Sequence, residues 1–565
     1  MQNETKICQN CKKDFVIEPE DFDFYEKIKV PPPTFCPECR AIRRAIFLNR
    51  VNLFKKTEAK DGKKIFSVYP EEANIKIYDH DYWWSDAWDP RDYGVDVDFK
   101  RPFLEQLKEL NFSVPRTSRS IRGFVNSDYC SQASYLKNCY LCFNTNNEEN
   151  CQYCVASNYS KDSMDCYAGL KAELCYETYH FANIFQCFYC ANIENCRNLK
   201  FCEECVNCND CFGCFNLRSK SYYIFNQPYS REEYFKELEK INFGSYSEVK
   251  NFIEKFNKLK ATLPRRYIHG SHNKEISGDY IYSSKNSLNS FEVDNCENVR
   301  YLQDMSAGVK DSYDYTNWGE NSELVYESCA CGDNCQNIKF CFECWPAMQD
   351  SEYCLECRSS SDLFGCVGLR SKQYCILNKQ YTKEEYEELV PKIIEHMKNK
   401  PYIDERGRSY AYGEFFPEEF SSLAYNETLA IEYFPKTKSA VEKEGYLWRD
   451  KNLGEYKITI EASDLPDDIA EVGEDVLKEV IQCDSCKNAY RIIKAEFDFY
   501  KRFLITLPRF CFNCRHLERR KKMNPLKLWH RSCMKPGCAN EFETSYAPDR
   551  PEIIYCESCY QQEVY

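Results

Sequence analysis

CSQASYLKNCYLC (130–142) opens, and CEECVNCNDCFGC (202–214) closes, a stretch whose fifteen cysteines are all separated by multiples of three residues. Random placement would hold one phase of three that long in about two trials in ten million, so the spacing reports a structural period. Rows of twelve resolve it into columns. One reads Cys130, Cys142, Cys154, Cys166, Thr178, Cys190, Cys202, Cys214; another reads Ser127, Cys139, Cys151, Ser163, Cys175, Cys187, Leu199, Cys211. Twelve-residue rows that superpose are the mark of a β-solenoid. An inward side chain at every third residue implies a thin coil with short sides and tight corners. Successive rows then lie about 4.7–4.9 Å apart, the spacing of paired strands. So narrow an interior takes Cys, Ser, Thr, Ala and Gly, and Ala133, Thr145, Ser157 and Gly169 form such a small-residue column. Just before one Cys column run Asn138, Asn150, Asp162, Leu174, Gln186, Asn198 and Asp210. Stacked amides of this kind can hydrogen-bond from coil to coil at a corner.

The coil recurs. Asp210 to Lys220 (DCFGCFNLRSK) matches Asp362 to Lys372 (DLFGCVGLRSK), and each copy runs into a capping box, Ser230 with Glu233 and Thr382 with Glu385. The cysteines of the second lobe change phase once, between Cys344 and Cys354, which predicts a single one-residue bulge. Residues 99–116, with Phe103, Leu104, Leu107 and Leu110, predict an amphipathic helix closing the open end of the first lobe. Trp83, Trp84 and Trp88 read as a hydrophobic plug.

The metal chemistry belongs to the two ends. Cys8-x-x-Cys11 precedes Cys36-x-x-Cys39 by 24 residues, and Cys483-x-x-Cys486 precedes Cys511-x-x-Cys514 by the same 24. Asp21 to Tyr25 matches Glu496 to Tyr500 at one offset, and Arg40 matches Arg515, so these are two copies of one module. A third set is Cys533, Cys538, Cys556 and Cys559. Four thiolates per site suit a structural zinc ion and leave no position for water, which predicts three ions supplying folding energy rather than catalysis. Basic runs follow the second knuckles: Arg40, Arg43, Arg44 and Arg50, then Arg515, Arg519, Arg520, Lys521 and Lys522. They read as solvated helix faces or as phosphate contacts. His516 stands beside Cys514 as a spare ligand to an already complete site.

Thr5 to Cys11, Phe22 to Tyr25 and Cys36 to Arg44 resemble a bacterial zinc-ribbon module, and residues 533–565 resemble another small zinc ribbon. With Trp83 to Pro90 and the solenoid lobes, most of the chain is similar to zinc-ribbon proteins of ultra-small bacterial lineages. The resemblance implies the fold and the metal; it implies no activity. The coils also resemble those of beetle antifreeze proteins, but exposed Thr-x-Thr rows are absent, which excludes ice binding.

The expected organisation is mainly β and multidomain: a zinc-ribbon module (1–50), a Trp-rich region with a capping helix (51–126), solenoid lobe one (127–227), a helical connector (228–275), solenoid lobe two (276–381), a helical and acidic region (382–480), a second zinc-ribbon module (481–525) and a C-terminal zinc ribbon (526–565). The net charge of −14 argues against wholesale nucleic-acid coating, and no apolar run approaches a membrane span. The opening residues hold no apolar leader. The 37 cysteines therefore read as thiols and metal ligands in a reducing cytoplasm. Seven histidines and no phosphate-binding glycine loop give little for catalysis, and His269 and His272, with Asp279 nearby, fall in the inter-lobe linker. The expectation is a non-enzymatic zinc scaffold presenting a repeat surface to a protein partner. The alternatives are RNA binding through the basic modules, or a thiol-based metal or redox reservoir.

Overall fold

The computed structural model describes residues 2–305, 308–450 and 456–564. Two parallel β-solenoids dominate it, one built on an 11-stranded and the other on a 12-stranded sheet. In the first, Val155 pairs with Tyr167, Tyr167 with Tyr179, and Tyr179 with Ala191, a twelve-residue register throughout.

The coil turns a corner at every third residue. From Gln132 to Phe225 each third position has φ between 46° and 64°, including Tyr135, Leu141, Tyr153 and His180. The left-handed region costs a non-glycine residue roughly 1–2 kcal/mol, so something must hold each corner. Backbone pairing does so: the Asn138, Asn150 and Asp162 amides donate to the Val125, Lys137 and Glu149 carbonyls of the preceding coil. One corner adds the expected ladder, with Asn126 donating to Asn138 (3.2 Å), Asn138 to Asn150 (3.0 Å) and Asn150 to Asp162 (2.8 Å).

The inward residues are chosen by hydrogen bonding as well as by size. Most buried thiols donate to the carbonyl two residues back, and many also to one on the next coil; Cys142 Sγ reaches Tyr140 at 3.7 Å and Cys151 at 3.4 Å. In return, Ser127 Oγ and Cys130 Sγ accept from the Cys139 and Cys142 amides one coil on. A small side chain with one donor and one acceptor meets that demand, so Cys, Ser and Thr interchange in the columns. The thiols are 0–3% exposed. Where a larger residue enters, its neighbour shrinks: a Cβ on Gly169 would stand 2.6 Å from the Phe181 ring.

The second lobe corrects the expected single bulge. Glu297 pairs with Lys310, Lys310 with Glu323, Glu323 with Gln336, and Gln336 with Gln349, each step thirteen residues. Three such rows restore the phase of three, so Cys296 and Cys335 fall in step despite the insertions between them. The longer rows admit bulkier inward residues, among them Val299, Leu302, Tyr315, Val325 and Ile338.

Helices close the lobes. Arg231–Leu238 and Tyr246–Lys260 follow lobe one, Lys383–Asn399 follows lobe two, and both predicted capping boxes form. The predicted helix, observed at Phe103–Ser113, does not close lobe one. Phe103 packs on Phe364, and a Cβ on Gly365 would meet its ring at 2.4 Å, so the helix covers lobe two. Its apolar stripe was legible; which end it covers depends on a contact some 260 positions away. Of the three tryptophans expected to form a plug, Trp83 is fully buried beside Arg358 and Arg370 of lobe two, Trp88 is half-buried and Trp84 is exposed. The acidic stretch 401–480, of which 451–455 lie outside the described residues, carries Phe415, Phe416, Tyr425 and Leu429 into the core shared with the N-terminal module. No helix among the described residues is long and apolar enough to cross a membrane.

Candidate metal centres

Each terminal module is a short antiparallel hairpin followed by two helices. In the first, Glu4–Ile7 pairs with Asp14–Ile17, and the hairpin turn holds Cys8 and Cys11. Cys36 is the N-cap of the helix Pro37–Ala45, which carries Cys39. In the second, Ile481–Gln482 pairs with Ala489–Tyr490, and Cys511 caps Phe512–Lys521. A helix N-terminus favours negative charge, so the second knuckle is placed where thiolates are stabilised. The third site lies between the hairpin Trp529–Ser532/Glu541–Thr544 and the helix Glu557–Val564.

All twelve predicted ligands converge. Cys8, Cys11, Cys36 and Cys39 have their sulfurs within 4.8 Å of one another, as do Cys483, Cys486, Cys511 and Cys514, and Cys533, Cys538, Cys556 and Cys559. Zinc bonded to sulfur at about 2.3 Å in a tetrahedron requires sulfurs about 3.8 Å apart. Cys11 and Cys36 are 3.7 Å apart, Cys486 and Cys511 3.6 Å, and Cys538 and Cys556 3.9 Å. Backbone amides support the cages: Cys36 donates to Cys8 Sγ, Cys511 to Cys483 Sγ and Cys556 to Cys533 Sγ, each at 3.3 Å. Hydrogen bonds from Cys36 and Cys39 push the Cys8 thiol far below its usual range, and those from Cys486, Cys511 and Cys514 do the same for Cys483. These are cages able to hold a metal ion.

No known protein family matches the chain, and no curated protein matches it. Among solved structures, the chain is similar to one described as an acetyltransferase from Desulfovibrio desulfuricans G20, at 7% identity and a TM-score of 0.11, over 52% of this chain and 74% of that one. A score that low carries no argument about fold or activity.

The structure corrects the reading of the basic runs. Arg40, Arg43, Arg44, Arg50, Arg515, Arg519 and Arg520 are buried, neither solvated nor free to meet phosphate. Arg40 and Arg44 bind Asp314 at 2.8 and 3.1 Å, and Arg44 also binds Glu327 at 3.2 Å. Arg515 and Arg519 both bind Asp165 at 3.0 Å, and Arg519 also binds Glu177. The two docks are equivalent, since Arg40 and Arg44 correspond to Arg515 and Arg519, and each meets two acids stacked one coil apart. The four acids sit at left-handed corners of their coils. Lys521 and Lys522 alone of the two runs are exposed. The pairing crosses over: the N-terminal module docks on lobe two and the C-terminal module on lobe one. Aromatic contacts repeat the pattern, Phe24 stacking on Tyr313 and Phe499 touching Tyr176.

His516 is no ligand; its Nε2 lies 3.1 Å from Glu432, which Arg50 also holds. His269 is clamped between Asp279 (2.9 Å) and Glu204 (3.1 Å). Burial works against its charged form, but the two carboxylates hold its pKa well above the usual value. Ser545 of the C-terminal ribbon donates to the same Asp279, tying the ribbon to lobe two. His272 is exposed and hydrogen-bonds only its neighbour Ser271.

Proposed function

We propose that this chain is a non-enzymatic scaffold whose three four-thiol cages each hold one structural zinc ion, and whose solenoid faces receive a protein partner in the cytoplasm. The observation that carries it is where the cages sit. One clamps lobe two through Arg40 and Arg44, one clamps lobe one through Arg515 and Arg519, and the third fixes the connector, Ile554–Tyr555 pairing with Arg265–Arg266. Closed cages of soft ligands favour zinc and convert its binding energy into folding energy. The family resemblance in the sequence supports the same reading. A binding face is supported by Tyr135 and Tyr159, which stand outward on one corner of lobe one, 51% and 57% exposed. The RNA reading loses support with the burial of its arginines.

The test is elemental analysis with native mass spectrometry of the full chain. Changing Cys36→Ser, Cys511→Ser or Cys556→Ser should each remove one zinc ion, and a chelator strong enough to strip all three should expose the docking corners to proteolysis. A chain that stays folded and protease-resistant without zinc contradicts the proposal.

A further inference from the structure

Inside lobe one, every inward position from Ser127 to Leu217 is apolar, thiol, hydroxyl or glycine, with a single exception, Glu148. Its side chain is 1% exposed, with the Thr145 and Ser157 hydroxyls beside it but neither carboxylate oxygen in a well-formed hydrogen bond. A buried carboxyl held only by such loose contacts is costly, so its retention in a coil of small residues calls for a further partner. The interior offers one. Glu148 forms a compact triad with Cys139 and Cys142, and a second with Cys151 and Cys154, the ligand atoms of each triad lying within 4.8 Å of one another. All five residues are buried, on two successive coils. The cage is built at the ordinary column positions: Glu148 follows Leu136 and precedes Ser160, so only this coil departs from the pattern.

We propose that Glu148, with the thiol pairs Cys139–Cys142 and Cys151–Cys154, is a fourth metal site that holds a soft divalent cation inside the solenoid. Two thiolates and one carboxylate suit zinc or cadmium rather than calcium or magnesium, which take oxygen ligands alone. The carboxylate belongs to both triads, so one ion is held by Glu148 and either pair. Binding releases two thiol protons, and the carboxyl proton where one is present, to solvent. The site has no opening to solvent at its ligands, so the ion enters as the coils close.

The test uses cadmium as the probe, with the full chain folded in its presence and weighed by native mass spectrometry. The wild-type chain should carry one ion more than either Glu148→Gln or the double variant Cys139→Ser/Cys151→Ser, which takes one thiol from each triad. The first variant is isosteric, and the second places serine where the same column already holds Ser127 and Ser163. Sulfur-to-cadmium charge-transfer absorbance should fall by about one-seventh in Glu148→Gln, because two of fourteen ligating thiolates leave. Identical ion counts in the wild type and both variants overturn the site. The terminal cages enter both sides of that comparison, so their failure to bind would leave the difference of one intact. If neither variant folds, a wild-type count of three refutes the proposal alone.

Discussion

Arg519→Met separates a buried clamp from a solvated basic face. Arg519 is 1% exposed and shares Asp165, itself fully buried, with Arg515; it also holds Glu177. Methionine keeps much of the volume and removes the charge. Removing one partner from a buried pair costs about 3–5 kcal/mol, because the remaining carboxylate stays desolvated. Arg515 still serves Asp165, so the lower end applies, about 3 kcal/mol, or somewhat more than a hundredfold in the opening equilibrium of the dock. Amide hydrogen exchange in the full chain reads that opening directly, in the helix Phe512–Lys521 and in the facing coils around Asp165 and Glu177. Exchange there should quicken about a hundredfold. Lys521→Ala, two residues on, removes an exposed cation paired only with exposed Glu518 and should change exchange less than about twofold. Glu177→Gln in the Arg519→Met background should recover part of the loss, since it removes a carboxylate the first change left unpaired. Equal, small effects of Arg519→Met and Lys521→Ala would refute the buried clamp and return these arginines to the phosphate-binding reading.

Three further outcomes follow from the geometry. Gly169→Ala drives a Cβ into the Phe181 ring and should destabilise lobe one by about 1–3 kcal/mol, with Phe181→Leu restoring most of the thermal midpoint; a neutral Gly169→Ala would contradict the tight coil. Asn138→Val removes both rungs of the corner ladder at a left-handed position and should cost about 2–3 kcal/mol by denaturant midpoint, whereas Asn138→Gly, which relieves the backbone strain, should cost clearly less. His180 is half-buried and stacked on Tyr280 (3.9 Å), and desolvation of its ring, helped by the nearby charges of Arg520 and His269 and opposed by Asp279 and Asp304, pulls its pKa down to about 3. The unfolded chain therefore binds a proton that the folded chain refuses. Its contribution is complete above the ordinary histidine range and is lost as pH falls from about 6.5 toward 3, at about 1.4 kcal/mol per pH unit. Wild type and His180→Phe, compared at pH 7 and pH 5, should differ by that slope; parallel stability curves would show that His180 charges freely in the fold.

The sequence made the coil legible because its period is written in one residue type. Cys130 to Cys214 keep phase since a thiol suits each inward position, donating to one carbonyl and accepting from the next amide. The second lobe was harder to read, since rows of thirteen return to phase after three turns and leave a trace only at Cys331 and where Cys344 gives way to Cys354. The corners were half legible. Asn138 and Asn150 announce left-handed backbone, but Tyr153, Leu141 and His180 adopt it under the force of pairing alone. The cages were fully legible from spacing. Glu148 was passed over, though its place as the lone acid on the inward phase of lobe one is a signal that reading the phase for exceptions would have found.

The fate of the arginines lay beyond any local reading, because their main partners stand 228 to 382 residues away. That distance explains the architecture. A solenoid coil touches only its neighbours, so each lobe alone is a one-dimensional stack with little to relate its ends to the rest of the chain. The docks add the missing long-range contacts. Asp165 with Glu177, and Asp314 with Glu327, give each lobe one pair of stacked acids, and each cage presents two arginines from the helix that its second knuckle caps. Because the N-terminal module takes the second lobe and the C-terminal module the first, the chain is closed on itself twice. On the proposed zinc reading, loss of the ion at either end would therefore loosen a lobe remote in sequence, and the fold would depend on its cages more than three small modules suggest.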